Sequence, residues 1–253
     1  MFVADLERPE LDAADRHHLD RVLRLRPGEE VTASDGVGGW RRCEYAGDGR
    51  VVAVGDIEVE ARPTPLVTVA FALTKGERPE WTVQKLAEAG VDRIVPMTTG
   101  RSVVRWDGEK AARQVVRLRS VARAAAMQSR QVWLPVVDDL AAFAELVPVG
   151  SGAPSALPSP SGLTSGLAQP AAPAPASVAP STSGLALAHM GGGPPSLERP
   201  VVLVGPEGGW DESELASGLP LVTLGPTVLR AETAAMAAGV LLCGLRAGVV
   251  GPG

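Results

Sequence analysis

The chain has 253 residues, enough for one large or two modest domains, and its 45% hydrophobic content supplies a sizeable core. With only 4% aromatic residues that core must be mostly aliphatic and rich in Ala. A net charge of −5 argues against a general nucleic-acid coating protein, and the two distant cysteines, Cys43 and Cys243, give neither a disulfide framework nor metal-ligand spacing.

Residues 1–62 read as short strands with turn signals. VTASDGVGGW and EYAGDGRVVAVGDIEVE carry Asp-Gly and Gly-Gly hairpin turns. Between Leu11 and Leu25 the apolar residues Leu19, Val22, Leu23 and Leu25 have helical spacing. A small β-rich barrel with one helix is the expectation. Pro63–Pro65 reads as a linker, because neither proline can continue a central strand.

From Leu66 onward strands and helices alternate. LVTVAFAL is a buried strand, Lys75-Gly76-Glu77 a loop, and Pro79 and Gly90 bracket a helix carrying Trp81, Val83, Leu86 and Ala87. VDRIVPM is the next strand. Asp107 caps a long helix with Val115, Val116, Leu118, Val121, Ala122 and Ala125 on its apolar side. This alternation predicts an α/β domain over 66–253, with a largely parallel sheet and helices on both faces. Within it, 150–184 is almost wholly Ala, Pro, Ser, Gly, Thr and Leu, and reads as a flexible surface insertion. LALAH, Leu185–His189, resumes as a short strand.

Charge is unevenly placed. From Arg101 to Arg130 there are eight Lys/Arg against two acids, and Arg16, Arg21, Arg24 and Arg26 cluster near the N-terminus with His17 and His18. Local basic faces on an acidic protein suit a selective RNA partner, and two solvated helix faces would have the same composition. No basic-then-apolar leader opens the sequence, and the uncharged stretch Thr233–Leu245 is too short to span a bilayer. The expectation is a reduced, cytoplasmic setting.

The chemistry is concentrated in Val201–Ala235. Two short apolar strands, Val201–Val204 and Leu221–Leu224, each end in a Gly-Pro turn. The first turn, Gly205-Pro206-Glu207-Gly208-Gly209, feeds Asp211-Glu212-Ser213-Glu214, an N-cap with its capping-box Glu. Glycines let a ligand lie against backbone, and a helix start offers free N–H groups. The loop lacks the Gly-Lys-Ser/Thr of a phosphate loop and the glycine spacing of a dinucleotide fingerprint. The second turn, LGPTVLRAET, opens a helix of small residues, with Arg230 and Glu232 bracketing its start.

Together these loops resemble the cofactor site of the SPOUT methyltransferases, and more narrowly the RsmE family, which methylates N3 of a uridine in small-subunit ribosomal RNA. Further segments carry the resemblance: HHLDRVLRLRPGEEVTASDG, LTKGERPEWTVQKLAEAGVDRIVPMTTGRSV and AAAMQSRQVWLPVV. It implies a PUA-like RNA-binding domain followed by a SPOUT α/β trefoil-knot domain, S-adenosylmethionine as cofactor, and a homodimer with the C-terminal helix in its interface. It also implies 16S ribosomal RNA in the assembled small subunit as substrate. The departures are the Ala/Pro/Ser-rich insertion and Ala188-His189-Met190-Gly191, where an acidic residue often follows the His.

The resemblance places the cofactor on Leu203, Val204, Gly205, Pro206, Glu207, Gly208, Gly209, Leu224, Gly225, Val228 and Leu229, with Leu187 and Thr233 as further contacts. Arg230 is the expected stabiliser of charge developing on the uracil oxygens. Glu232 either orients Arg230 or accepts a proton, and Glu207 is a second base; sequence leaves their order open. Arg21, Arg24, Lys75, Arg101 and Arg130 are the expected RNA contacts. No metal is expected. A SPOUT enzyme acting on a ribose hydroxyl, and a non-catalytic RNA binder of the same fold, are the rival readings. The N-terminal and middle segments weigh against the first, and the intact loops against the second.

Overall fold

The computed structural model describes residues 1–147 and 184–251, which form two compact units. The predicted insertion over 150–184 falls outside the described residues, apart from Gly184.

The first unit comprises Met1–Arg62 and, from later in the chain, Met127–Leu134. Strands β1 (Glu30–Ser34), β2 (Gly39–Gly47), β3 (Arg50–Ala53) and β4 (Glu58–Val59) form an antiparallel sheet, with β1, β3 and β4 all pairing with β2. Both Asp-Gly signals are hairpin turns, between β1 and β2 and between β2 and β3. Residues 1–3 add a parallel edge, with Val3 N–H donating to Ser34 O at 2.8 Å. Met127–Leu134 closes onto the same sheet: Ser34 Oγ donates to Val132 O at 3.1 Å, and Leu134 N–H to Gly36 O at 2.9 Å. The Arg62 guanidinium lies 5.1 Å from the centre of the Trp133 ring, a cation–π contact.

The predicted helix near Leu19 is α1 (Ala13–His17) continued by a wider π-helical turn over His18–Leu23. That turn ends at Arg24, which has left-handed φ of +53°. Leu11 and Leu19 pack with Val3, Leu6, Ala33, Cys43 and Tyr45 in the core of this unit.

The second unit is α/β. Strands β5 (Thr68–Ala72), β6 (Arg93–Thr98), β7 (Val136–Val137), β8 (Ala141–Ala142), β9 (Leu185–Gly193), β10 (Val201–Val204) and β11 (Leu221–Val222) pair in parallel, in the order β11-β9-β10-β5-β6-β7, with β8 also on β6. From β5 the chain first builds one side of the sheet and then returns to build the other, so β5 and β10 flank the topological switch point.

The faces of the sheet differ more than the βαβ pattern predicts. The long helices α2 (Arg78–Glu88), α3 (Gly108–Gln128) and α6 (Ala231–Arg246) share one face. There Val83, Leu86, Leu118, Ala122, Ala235, Ala238 and Leu242 pack on Val69 and Phe71 of β5 and Val202 and Val204 of β10. Residues of opposite parity, Ala70, Ala72 and Leu203, point to the other face. Among the described residues this face is covered by the short helix α4 (Phe143–Leu146), Val147, Trp210 and Leu219, with Phe143 and Trp210 ring centres 5.5 Å apart. The small residues of α6 serve packing inside the chain: a Cβ on Gly239 would meet Leu86 at 2.8 Å and Val91 at 2.9 Å. Cys243 lies in this core, where burial pushes its thiol up to about 11, so it stays protonated and unreactive at neutral pH.

The C-terminal end of α6 is tied to the segments that enter β5 and β6. Arg246 pairs with Asp92 and donates to Pro65 O at 3.2 Å and Gly90 O at 2.9 Å, and Asp92 also accepts from Val67 N–H at 2.8 Å. The Arg246 and Asp92 side chains are 9% and 6% exposed, so removing one partner strands a buried charge. Arg246→Met should destabilise the unit by about 3–5 kcal/mol. Urea unfolding followed by circular dichroism measures this, and a loss below about 1 kcal/mol would show that the pair is dispensable.

Candidate active site at the carboxyl edge of the parallel sheet

All strands of the second unit run the same way, so the loops after β5, β6, β10 and β11 meet at one edge. In open parallel sheets this edge, at the switch point, is where ligands bind. The loop after β10 is Gly205–Asp211. Gly209 has φ of +71° and its N–H donates to Pro206 O at 2.9 Å, a turn that an L side chain would strain. Gly205 lies beneath the indole of Trp210, and Trp210 Nε1 donates to Ala188 O of β9 at 2.9 Å.

Downstream, α5 (Glu212–Leu215) begins with the predicted capping box. Asp211 Oδ1 accepts from Glu214 N–H at 2.8 Å, and Glu214 Oε2 accepts from Asp211 N–H at 2.9 Å. Hydrogen bonds from Ser213 and from the Glu214 N–H hold the Asp211 carboxyl below its ordinary range. The other oxygen of buried Glu214 accepts from Gly100 N–H at 2.8 Å, which ties the β10 loop to the loop after β6. Arg101 adds a second tie, Nη1 to Gly208 O at 3.1 Å.

The β11 strand is shorter than predicted, ending at Val222. Its register against β9 jumps from Leu221↔Leu187 to Val222↔Gly193. Thr223 N–H donates to Gly193 O at 2.8 Å, and the loop then runs exposed through Val228, which is 84% exposed, to Arg230. Arg230 is the extended residue before α6; its carbonyl accepts from Ala234 N–H at 2.8 Å, and its side chain makes no hydrogen bond or ion pair with the described residues.

The predicted cofactor residues divide in two. Leu187, Leu203 and Val204 are buried with their side chains in the core, so they offer only backbone at the strand ends. Pro206 is also buried. Gly205, Leu224, Gly225, Leu229 and Thr233 are half-buried, whereas Glu207, Gly208, Gly209 and Val228 are exposed. A Cβ on Gly225 or Gly209 would enter open space.

The two acids converge on a residue that the sequence reading passed over. Arg78, at the start of α2, donates from Nη1 to Glu207 Oε1 at 2.9 Å, and its Nε stands 3.7 Å from Glu232 Oε1. Glu232 therefore faces Arg78, where the sequence suggests pairing with Arg230. Glu232 Oε2 is buried and has no hydrogen-bond partner among the described residues. The signal in the sequence was the basic residue at the first turn of a helix, where the macrodipole disfavours a cation.

The expected RNA contacts are distributed over both units. Lys75 and Arg101 are exposed in the loops after β5 and β6. Arg21, Arg24 and Arg130 are exposed on the first unit, and Arg130 has left-handed φ of +57°. His189 stays local, its Nδ1 accepting from Gly191 N–H at 3.1 Å. Among the described residues no cluster of three or more His, Cys, Asp or Glu could hold a metal ion. No described helix is long and apolar enough to cross a membrane.

Residues 61–154 and 175–242 match the RNA methyltransferase domain, and residues 11–54 match the RNA methyltransferase PUA domain. Fold and matched segments thus define an RNA methyltransferase, with a PUA domain ahead of its α/β domain. Ribosomal RNA small subunit methyltransferase E of Mycobacterium bovis is 35% identical over 240 residues, covering 90% of this chain and 83% of that protein. The Synechocystis protein of the same name is 31% identical over 232 residues, covering 88% and 69%. The crystal structure of a ribosomal RNA small subunit methyltransferase E from Neisseria gonorrhoeae bound to S-adenosyl methionine has a TM-score of 0.70 at 27% identity, covering 93% of this chain and 90% of that one. The chain belongs to the ribosomal RNA small subunit methyltransferase E family.

Proposed function

We propose that this protein uses S-adenosylmethionine to methylate N3 of a specific uridine in 16S ribosomal RNA of the small ribosomal subunit. The observation that carries the reading is the carboxyl edge: two glycine-bearing loops, after β10 and β11, the strands on either side of β9, with Arg78, Glu207 and Glu232 grouped beside them.

The residues present fit the cofactor. Gly209 and Gly225 leave room for a ligand against backbone, Leu224 and Leu229 supply apolar surface, and Glu232 Oε2, without a partner among the described residues, lies at the start of α6. Leu187, Leu203, Val204 and Pro206 would hold it through backbone groups at the strand ends. Gly205, Glu207, Gly208, Gly209, Leu224, Gly225, Val228, Leu229 and Thr233 would complete the binding surface. When bound, S-adenosylmethionine supplies an electrophilic methyl group on a sulfonium sulfur, which departs as a neutral thioether with the bonding electron pair.

The protein's task is to present the nucleophile. Uridine N3 carries a proton, so a group must take it as the new bond forms. The base must also leave the stack to reach the site. Arg230, whose side chain is exposed and unpaired among the described residues, would stabilise negative charge on the uracil oxygens. Glu232 and Glu207 are the two candidate proton acceptors. Arg21, Arg24, Lys75, Arg101 and Arg130 position the RNA through its phosphates. The working protein is a cytoplasmic homodimer with α6 in its interface, its substrate is the assembled small subunit, and its α/β unit carries the trefoil knot of SPOUT enzymes.

Purified protein, methyl-labelled S-adenosylmethionine and small subunits from a strain without the modification test this directly. Label recovered as N3-methyluridine, more from subunits than from free RNA, is the expected result. Label on ribose, or no label with either substrate, would overturn it.

A further inference from the structure

The two acids beside Arg78 are not equivalent. The Glu207 side chain is 47% exposed and its Oε1 is occupied by Arg78 at 2.9 Å. That of Glu232 is 12% exposed, with Arg78 Nε at 3.7 Å, outside hydrogen-bond reach, and Oε2 buried and unpartnered among the described residues. An unsatisfied buried acceptor is costly, so its presence calls for a role. The α6 macrodipole favours negative charge at its first turn, where Glu232 stands.

We infer that Arg78 is a positioning residue that holds Glu207 and Glu232 side by side, leaving Glu232 Oε2 as the acceptor of the uridine N3 proton. The inference rests on the proposed reaction. In the step, the N3–H electron pair becomes the bond to the incoming methyl carbon, and the proton joins Oε2. The pair of the broken sulfur–carbon bond stays on sulfur. Neutralised Glu232 then attracts Arg78 less, and the 2.9 Å pair with Glu207 keeps the guanidinium in place. Arginine suits this task because its Nε and Nη1 address two carboxylates at once, whereas a lysine ammonium is a single point charge. Arg78 is 44% exposed on its own helix, so its replacement leaves the core intact.

Kinetics of Arg78→Gln, Arg78→Lys, Glu207→Gln and Glu232→Gln on small subunits, with calorimetry of S-adenosylmethionine binding, test the inference. Arg78→Gln should lower kcat by about 10²-fold, with cofactor affinity and KM for the subunit within about twofold of wild type. Arg78→Lys should recover part of kcat, and Glu232→Gln should lose more turnover than Glu207→Gln. The inference is overturned by an unchanged kcat in Arg78→Gln, by a loss carried wholly in KM or cofactor affinity, or by the reverse order of the two Glu variants. Should Arg78→Gln fail to fold, as seen by thermal melting, the order of the Glu variants decides. Wild-type turnover in the same assay reports on the proposed reaction separately: its absence removes that reading, and the inference with it.

Discussion

Arg230→Ala is expected to bind S-adenosylmethionine with near wild-type affinity and to lose about 10²–10³-fold in turnover. Nothing in the described fold leans on this side chain. The residue is exposed and precedes α6 in extended backbone that any residue adopts, and its side chain makes no hydrogen bond or ion pair with the described residues. Alanine therefore removes a cation and little else. The loss should fall on kcat, because a donor aimed at charge that develops during reaction stabilises the transition state more than bound substrate. Calorimetry with the cofactor and single-turnover methylation of small subunits separate the two effects. Turnover within about twofold of wild type would take Arg230 off the catalytic list. A matching loss of cofactor affinity would move it to the cofactor surface.

Gly192→Ala should weaken cofactor binding about ten- to a hundredfold while leaving the first unit folded. Gly192 lies where the register between β9 and β11 jumps, and a Cβ there would sit 2.5 Å from the carbonyl carbon of Leu221. The obstacle is backbone, which cannot rotate aside, so β11 must move. The Leu224–Arg230 loop springs from that strand, and with it part of the proposed cofactor surface. Overpacking of this kind costs about 1–3 kcal/mol, and each 1.4 kcal/mol is about tenfold in affinity. Calorimetry and thermal melting of the variant measure both consequences. Unchanged affinity and melting would mean that the strand pair is loose enough to admit a methyl group, and that β11 does not position the loop.

Much of this was legible in the sequence because it is encoded locally. The Asp-Gly turns, the Asp211–Glu214 capping box and the Gly-Pro loops are each defined within a few residues, and each has a physical cause that sequence displays. The alternation of strands and helices likewise predicted the parallel sheet. What escaped notice depends on residues distant in sequence. Arg78 meets Glu207 from 129 positions away, and only the topology brings α2 beside the loop after β10. Met127–Leu134 follows a helix of the second unit yet packs with the first, held by bonds from Ser34 and to Gly36 that no local pattern announces. The gathering of α2, α3 and α6 on one face has a similar origin. Apolar periodicity says that a helix covers a sheet, not which side it covers.

The central claim is most directly tested by nucleoside mass spectrometry of small-subunit ribosomal RNA from cells with and without this gene. N3-methyluridine should disappear in the deletion strain, return with the wild-type gene, and stay absent when the restored copy carries Arg230→Ala. N3-methyluridine at wild-type levels in the deletion strain, alongside loss of a different methylated nucleoside, would contradict it.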